Sequence, residues 1–348
     1  MTVDGLRVLD ADAHVIEPPS VFGAWTDVSA SAIDLAPDTP MVPCGDIELI
    51  ADQMASGFDA PSYLRAMDAQ GIDAVVLYPS IGLFVPFLPA LDAAQSAAAC
   101  RSYNEWIAAY CREDETRMAA VGLVPLADPS LAVEEADRVA DLGLVGVLAR
   151  PNHLYSRNLG DPAYDPLYAA LAEAGLVLSV HEGLGLRGPT IGADRFDGFT
   201  ARHLLSHPME QMAAMASLVL DGALARHPGL RVAFLESGSG WLPYWLHRLD
   251  EHQEWMDPGA ERASALFARQ CVISTEADDA LTGMVADRVG ADRVLWASDF
   301  PHPDALFPDA ATTFVAAARR QGITDADLAT ILWDGPLAFY ALGPRLTT

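Results

Sequence analysis

The sequence predicts an α/β chain closed into a (β/α)8 barrel, and three observations carry that reading. Short apolar runs alternate with amphipathic stretches of helical period along the 348 residues, and eight such runs can be counted. Strict alternation favours a parallel sheet with helices outside, and eight units favour a closed barrel over an open sheet. The runs are nearly continuous in Val, Leu and Ile, as strands buried on both faces must be. The glycine fingerprint of a dinucleotide fold is missing after the first run, which weighs against a doubly wound sheet.

In chain order the predicted strands are 7–14, 74–80, 118–126, 144–150, 176–181, 231–236, 271–276 and 293–299. Helical period is read between them, over 92–113, 130–141, 164–174, 208–226, 278–289 and 310–321. Gly143 and Gly175 stand where a helix should end before the next strand, and His227-Pro228-Gly229 does the same before the sixth. Two insertions interrupt the pattern. Residues 17–60, rich in Pro, Asp and Ser, follow strand one and form a rim. Residues 182–207, with five glycines (Gly183, Gly185, Gly188, Gly192 and Gly198), follow strand five and form a lid loop. Nothing else suggests a second domain, so residues 1–348 are read as one.

Composition narrows the function. The chain carries 48 acidic against 21 basic residues, a formal charge of −27. Such a surface repels phosphate backbones and anionic lipid, so nucleic-acid and membrane partners are not expected. Every basic residue is arginine. A Schiff-base lysine, a phosphate-loop lysine and a carboxylated lysine bridging two metals are all excluded. The cysteines, Cys44, Cys100, Cys111 and Cys271, form no CxxC pair, which suits packing roles in a reducing compartment. No signal peptide is read at the start, and the most apolar stretch, 74–91, is broken by three prolines (Pro79, Pro86 and Pro89). The expected location is the cytoplasm.

Four segments at predicted strand ends carry the chemistry: Asp12-Ala13-His14, His181, Glu236 and Asp299. A barrel gathers strand ends at one mouth, where its active sites lie. Alternation puts Asp12 and His14 on one face, with Cα atoms roughly 7 Å apart, close enough for a shared metal. Asp10 shares that face but lies about 13 Å from His14 by the same arithmetic, and reads as a buried structural acid. Asp and His are oxygen and nitrogen donors of divalent-metal sites. Arg150 closes strand four, while Arg202, with His203 and His207, lies in the lid. His207 and His302 are candidates for contacts to substrate or to the centre's own ligands.

The runs DADAHVIEPP, VHEG, HPMEQM, ARHPGLRVAFLESGSGWLPYWLHRLDEH and WASDFPHPD, spread over nearly the whole chain, resemble the metal-dependent amidohydrolase superfamily. The similarity is to the branch of aminocarboxymuconate-semialdehyde and resorcylate-type decarboxylases. That resemblance implies one divalent ion held by Asp12, His14, His181 and Asp299, with Zn2+ favoured and Mn2+ the alternative. It implies catalytic parts for Asp299, His181 and Glu236, and substrate contacts from Arg150, Arg202, His207, Arg248 and His302. Arg248 sits where relatives lend an arginine across a homodimer interface. Relatives carry His or Glu at the first ligand position and commonly His at the end of strand six; this chain has Asp12 at the former. At the latter, the match falls on either Glu236 or Ser237. The implied activity is non-oxidative decarboxylation of a small aromatic or conjugated carboxylic acid. Hydrolysis of an ester, lactone or amide uses the same equipment, and a non-catalytic binding barrel is the third reading.

Overall fold

Eight parallel strands follow one another around the sheet in sequence order. A computed structural model of the chain describes residues 3–25, 47–183 and 190–346. The strands are β1 (Leu9–Val15), β2 (Ala74–Pro79), β3 (Met118–Leu123), β4 (Gly146–Ala149), β5 (Val177–His181), β6 (Arg231–Leu235), β7 (Cys271–Thr275) and β8 (Val294–Trp296). Helices cross over between them. They are α1 (Ala60–Gln70), α2 (Ala93–Cys111), α3 (Pro129–Asp141), α4 (Asp165–Ala174), α5 (Phe199–Leu220), α6 (Leu242–Met256), α7 (Ala263–Gln270), α8 (Thr282–Val289) and α9 (Ala310–Arg320). The predicted barrel is therefore the observed one.

Local chemistry explains the helix ends. Asp92 and Gln95 form a reciprocal capping box at the start of α2, and Asp59 and Asp128 accept backbone N–H bonds at the starts of α1 and α3. Each such cap typically contributes on the order of 1 kcal/mol. Gly143 and Gly175 turn the chain with φ of 74° and 67°, in the left-handed region a side chain would disfavour. Nearly every strand residue is buried, because the apolar interior lies on one side of the sheet and the helices on the other.

The closing seam is unlike the other seven strand junctions. Ladder pairing runs from β1 through β8, and β8 is only three residues long, not the seven predicted. Beyond Trp296 the chain leaves strand geometry and bonds onto β1 instead. The Ser298 N–H donates to Asp10 Oδ1 at 3.1 Å, the Asp299 N–H to the Asp12 carbonyl at 3.2 Å, and the His14 N–H to the Phe300 carbonyl at 2.7 Å. Asp10 is thus structural, as expected, and the seam is made by the very segments that carry Asp12, His14 and Asp299.

The lid needs correction. Residues 184–189 lie outside the described residues, but 199–207 are the opening turns of α5 rather than loop. The predicted helical stretch begins at 208, where a proline would be at home in a first turn. Here it sits inside the helix, while the preceding turns are held by the burial of Arg202, Ser206 and His207. In the rim insertion, 26–46 lie outside the described residues, and short helices occupy Pro19–Phe22 and Ile47–Ala55. No helix among the described residues is long and apolar enough to cross a membrane.

Two buried side chains fix the mouth. Gln211 of α5 donates through Nε2 to the Val180 carbonyl at 2.7 Å and the Leu235 carbonyl at 2.9 Å, just before His181 and Glu236. Replacing it leaves two buried carbonyls unsatisfied. Gln211→Leu is expected to cost roughly 1–3 kcal/mol in urea unfolding, and an unchanged midpoint would contradict this role.

Glu17 accepts three backbone N–H bonds, from Ser80 (3.3 Å), Ile81 (2.9 Å) and Gly82 (2.8 Å). Burial pushes its carboxyl up to about 7 from the usual 4.5, against those hydrogen bonds. A folded pKa above the unfolded one means the folded state holds the proton more tightly. Its contribution to stability is full below pH 4.5 and is lost as pH rises to about 7. The stability difference between wild type and Glu17→Gln should therefore shrink across that window and level off above it. Urea titrations at several pH values would show it, and a difference that grows with pH would contradict it.

Candidate metal centre

Each of the four predicted segments reaches the barrel mouth, but from different backbone positions. Asp12 and His14 lie within β1, which runs on to Val15, and a register shift between Asp10 and Ala13 marks a bulge there. His181 is the last residue of β5. Glu236 and Asp299 lie just past β6 and β8, both with left-handed backbone, φ 47° and 57°. Non-glycine residues pay for that conformation, and such strain persists where the surroundings fix it, often at functional sites.

Their donor atoms converge. His14 Nε2 lies 3.7 Å from Asp12 Oδ1 and 3.3 Å from Asp299 Oδ1. His181 Nε2 lies 3.4 Å from Asp12 Oδ1 and 3.3 Å from Glu236 Oε2. Ligands about 2.1 Å from one tetrahedral ion would stand roughly 3.4 Å apart. Asp12 Oδ1, His14 Nε2, His181 Nε2 and Asp299 Oδ1 are all buried with no hydrogen-bond partner. Orphaned buried polar atoms are costly, and here His14 Nε2 faces both carboxylates while His181 Nε2 faces that of Asp12. The other ring nitrogens are spoken for. His14 Nδ1 donates to the Pro79 carbonyl at 2.9 Å and His181 Nδ1 to the Glu182 carbonyl at 2.5 Å, which turns each Nε2 into the cluster. Asp12, His14 and His181 form one grouping able to hold a cation, and His14, Asp299 and His302 another that shares His14. The residues present fit a divalent ion.

Electrostatics agree. Burial raises the Asp12 carboxyl and, with Glu236 nearby, lifts that of Asp299 well above the ordinary range. Burial lowers His14 well below its usual value, aided by the charges of His302 and His181, so it is a neutral imidazole, the form that ligates. Burial depresses His181 too, but Asp12 and Glu236 outweigh it and hold the ring up to about 9. Glu236 is raised by burial, yet His207 and His181 hold it well below the carboxylate range. A cluster so rich in buried carboxylate needs protons or a cation to compensate it.

Around this core the structure adds His302. Its ring stacks on His14 at 4.0 Å between centroids, its Nδ1 lies 2.7 Å from Asp299 Oδ1, and its Nε2 meets Ser80 Oγ at 3.0 Å. His207 points Nε2 at Glu236 Oε1, 3.5 Å away. Of the two candidates at the end of strand six, Glu236 is the one that faces the site. Ser237 turns to the Gly238 carbonyl and to Trp241 Nε1.

The arginines divide. Arg150 is buried and committed within the chain, to Glu182 Oε1 (2.8 Å), Asn152 Oδ1 (2.9 Å) and the Leu83 carbonyl (3.0 Å). Arg202 is buried on α5, not at the surface. Arg248 is on the outer helix α6, partly exposed, beside Glu251 and His252. Sequence reasoning gave no role to His203, which stands four residues before His207 on α5. That spacing would have exposed it once the helix was extended back through Pro208. Tyr78 was also missed; it stacks on His181 and shares its hydroxyl with Ser179 and Tyr340.

The chain is 27% identical over 257 residues to gamma-resorcylate decarboxylase of Rhizobium sp. (strain MTP-10005), covering 68% of this chain and 75% of that one. A solved amidohydrolase of Mycobacterium avium subsp. paratuberculosis superposes with TM-score 0.77 at 23% identity, covering 97% of this chain and 99% of the other. A dihydroxybenzoic acid decarboxylase of Polaromonas sp. JS666, solved with manganese and 2-nitroresorcinol, gives 0.70 at 19% identity, covering 97% and 98%. These two solved structures share the fold. The amidohydrolase family model matches residues 9–342, from the first strand of the barrel almost to the C-terminus, and the chain belongs to that family.

Proposed function

We propose that this protein is a metal-dependent, non-oxidative decarboxylase of a small hydroxylated aromatic or conjugated carboxylic acid. The observation that carries the reading is the convergence of four buried, unpartnered donor atoms, on Asp12, His14, His181 and Asp299, at the barrel mouth. The resorcylate decarboxylase among its relatives supports the choice of reaction. Two carboxylate oxygens and two imidazole nitrogens suit Mn2+ or Zn2+, and the manganese in the Polaromonas protein favours Mn2+. When bound, such an ion polarises a substrate oxygen and fixes an anionic substrate in place.

The chain's own residues account for the proton. Burial pushes the Asp299 carboxyl up, His302 Nδ1 approaches its Oδ1 to 2.7 Å, and His302 Nε2 meets Ser80 Oγ. In the proposed reaction His302 supplies a proton, relayed by the neighbouring Asp299 carboxylate, to the ring carbon that bears the substrate carboxylate. The bond from that carbon to the carboxyl carbon then breaks, its electron pair restores the conjugated ring, and CO2 leaves. The proton given up is recovered from solvent through His302 and Ser80. Glu236, fixed between His181 and His207, holds both imidazoles in place. His207 and Arg202 line the α5 side of the mouth as candidate substrate contacts. A homodimer would let Arg248 serve a neighbour's site, and exposed Tyr244, Trp255 and Met256 on the same helix support such a contact. The buried free thiols of Cys100, Cys111 and Cys271 support a cytoplasmic location.

The test is turnover of a panel of ortho-hydroxybenzoates, among them 2,6-dihydroxybenzoate, against aryl esters and lactones, by Mn2+-loaded protein. CO2 release from the acids is expected, lost on chelation and restored by Mn2+. Asp299→Ala or Asp12→Ala should lower kcat by roughly 10²–10⁴-fold. Ester or lactone cleavage without CO2 release would make the protein a hydrolase instead, and variants as active as wild type would remove the metal centre from the mechanism.

A further inference from the structure

Beside the cluster just described lies a second set of donors, which adds His203 to His207 and Glu236. His203 and His207 are four residues apart and so share one face of α5, with ring centroids 4.0 Å apart. One donor atom from each, and a carboxylate oxygen of Glu236, all lie within 4.8 Å of one another. The geometry points to a second divalent-cation site formed by His203, His207 and Glu236, with the Glu236 carboxylate bridging it to the first; this rests on the proposed metal centre.

Three observations support it. His207 has its Nδ1 engaged by the His203 carbonyl at 3.1 Å and Ser206 Oγ at 3.2 Å. Its buried Nε2 has no hydrogen-bond partner, the arrangement that orients ligating histidines. The 3.5 Å from that nitrogen to Glu236 Oε1 is too long for a good hydrogen bond. Second, the two oxygens of Glu236 face different clusters: Oε1 faces His207, and the buried, unpartnered Oε2 lies 3.3 Å from His181 Nε2. The backbone accepts a positive φ of 47° to aim it there.

Charge is the third. Metal ligation requires the carboxylates ionised. Asp12, Glu236 and Asp299 with one divalent ion leave the cluster net negative, a poor host for a carboxylate substrate. A second divalent ion makes it net positive. Arg150 does not supply that charge, because its three nitrogens are committed to Glu182, Asn152 and Leu83. The ligands, two imidazoles and a carboxylate, suit Mn2+, Co2+ or Zn2+.

The experiment is equilibrium dialysis of metal-stripped wild-type protein against rising Mn2+, with bound metal counted per chain and electron paramagnetic resonance recorded at saturation. Loading of about two ions per chain is expected, as in two-metal sites, with the spectrum of an exchange-coupled pair. The His203→Ala/His207→Ala double variant should stop at about one. The wild-type spectrum decides the matter even if that variant misfolds. Wild type saturating at one ion with an isolated-Mn2+ spectrum overturns the second site and leaves the decarboxylase centre standing. So does a folded double variant that still binds two. No binding at all would overturn both.

Discussion

Burying several carboxylates in one water-poor pocket is the constraint from which the rest of this structure follows. Taking a charged group out of water costs several kcal/mol even after relaxation. Asp12, Asp299 and Glu236 meet within one barrel mouth, and burial drives the first two up. Neutral imidazoles from His14, a network of backbone carbonyls holding the far ring nitrogens, and a cation are what make that concentration of acid affordable. Each histidine turns its Nε2 into the cluster because its other nitrogen is already tied to a backbone carbonyl.

The barrel is organised around that demand. Its closing seam is stitched by backbone bonds between Asp299 and Asp12 and between His14 and Phe300, so the residues that close the sheet are those that frame the centre. Asp10 anchors the same seam from below through Ser298. On the opposite side, Gln211 ties the ends of β5 and β6 to α5, which sets His181, Glu236 and His207 in one frame. Glu17 pins the loop after β2, and Ser80 in that loop reaches His302. Site and scaffold therefore share hydrogen bonds, and a change at one is felt at the other.

Much of this was legible in the sequence because periodicity is local. Alternating strands and helices, glycine at helix ends, and the two-residue spacing of Asp12 and His14 need no knowledge of contacts far along the chain. His181 and Asp299 were legible once eight strands implied a shared mouth. What stayed hidden is long-range or helical. The stack of His302 on His14, the reach of Glu17 to residues 80–82 and the double bond from Gln211 join segments distant in sequence, with no local pattern to mark them. The pairing of His203 with His207 was hidden differently. Taking residues 182–207 as a lid loop, with the helix beginning at 208, removed the four-residue spacing that pairs the two rings. Arg150 shows the converse: a strand-end arginine on the catalytic face reads as an anion receptor, but Glu182, next to His181, occupies it.

The central claim is that the orphaned atoms of Asp12, His14, His181 and Asp299 are the walls of one cation site. Diffraction from Mn2+-loaded crystals at the manganese absorption edge tests it most directly. The account predicts an anomalous peak bounded by those four side chains. Manganese bound only elsewhere, or hydrogen bonds to water satisfying each of the four atoms in a metal-replete crystal, would contradict it.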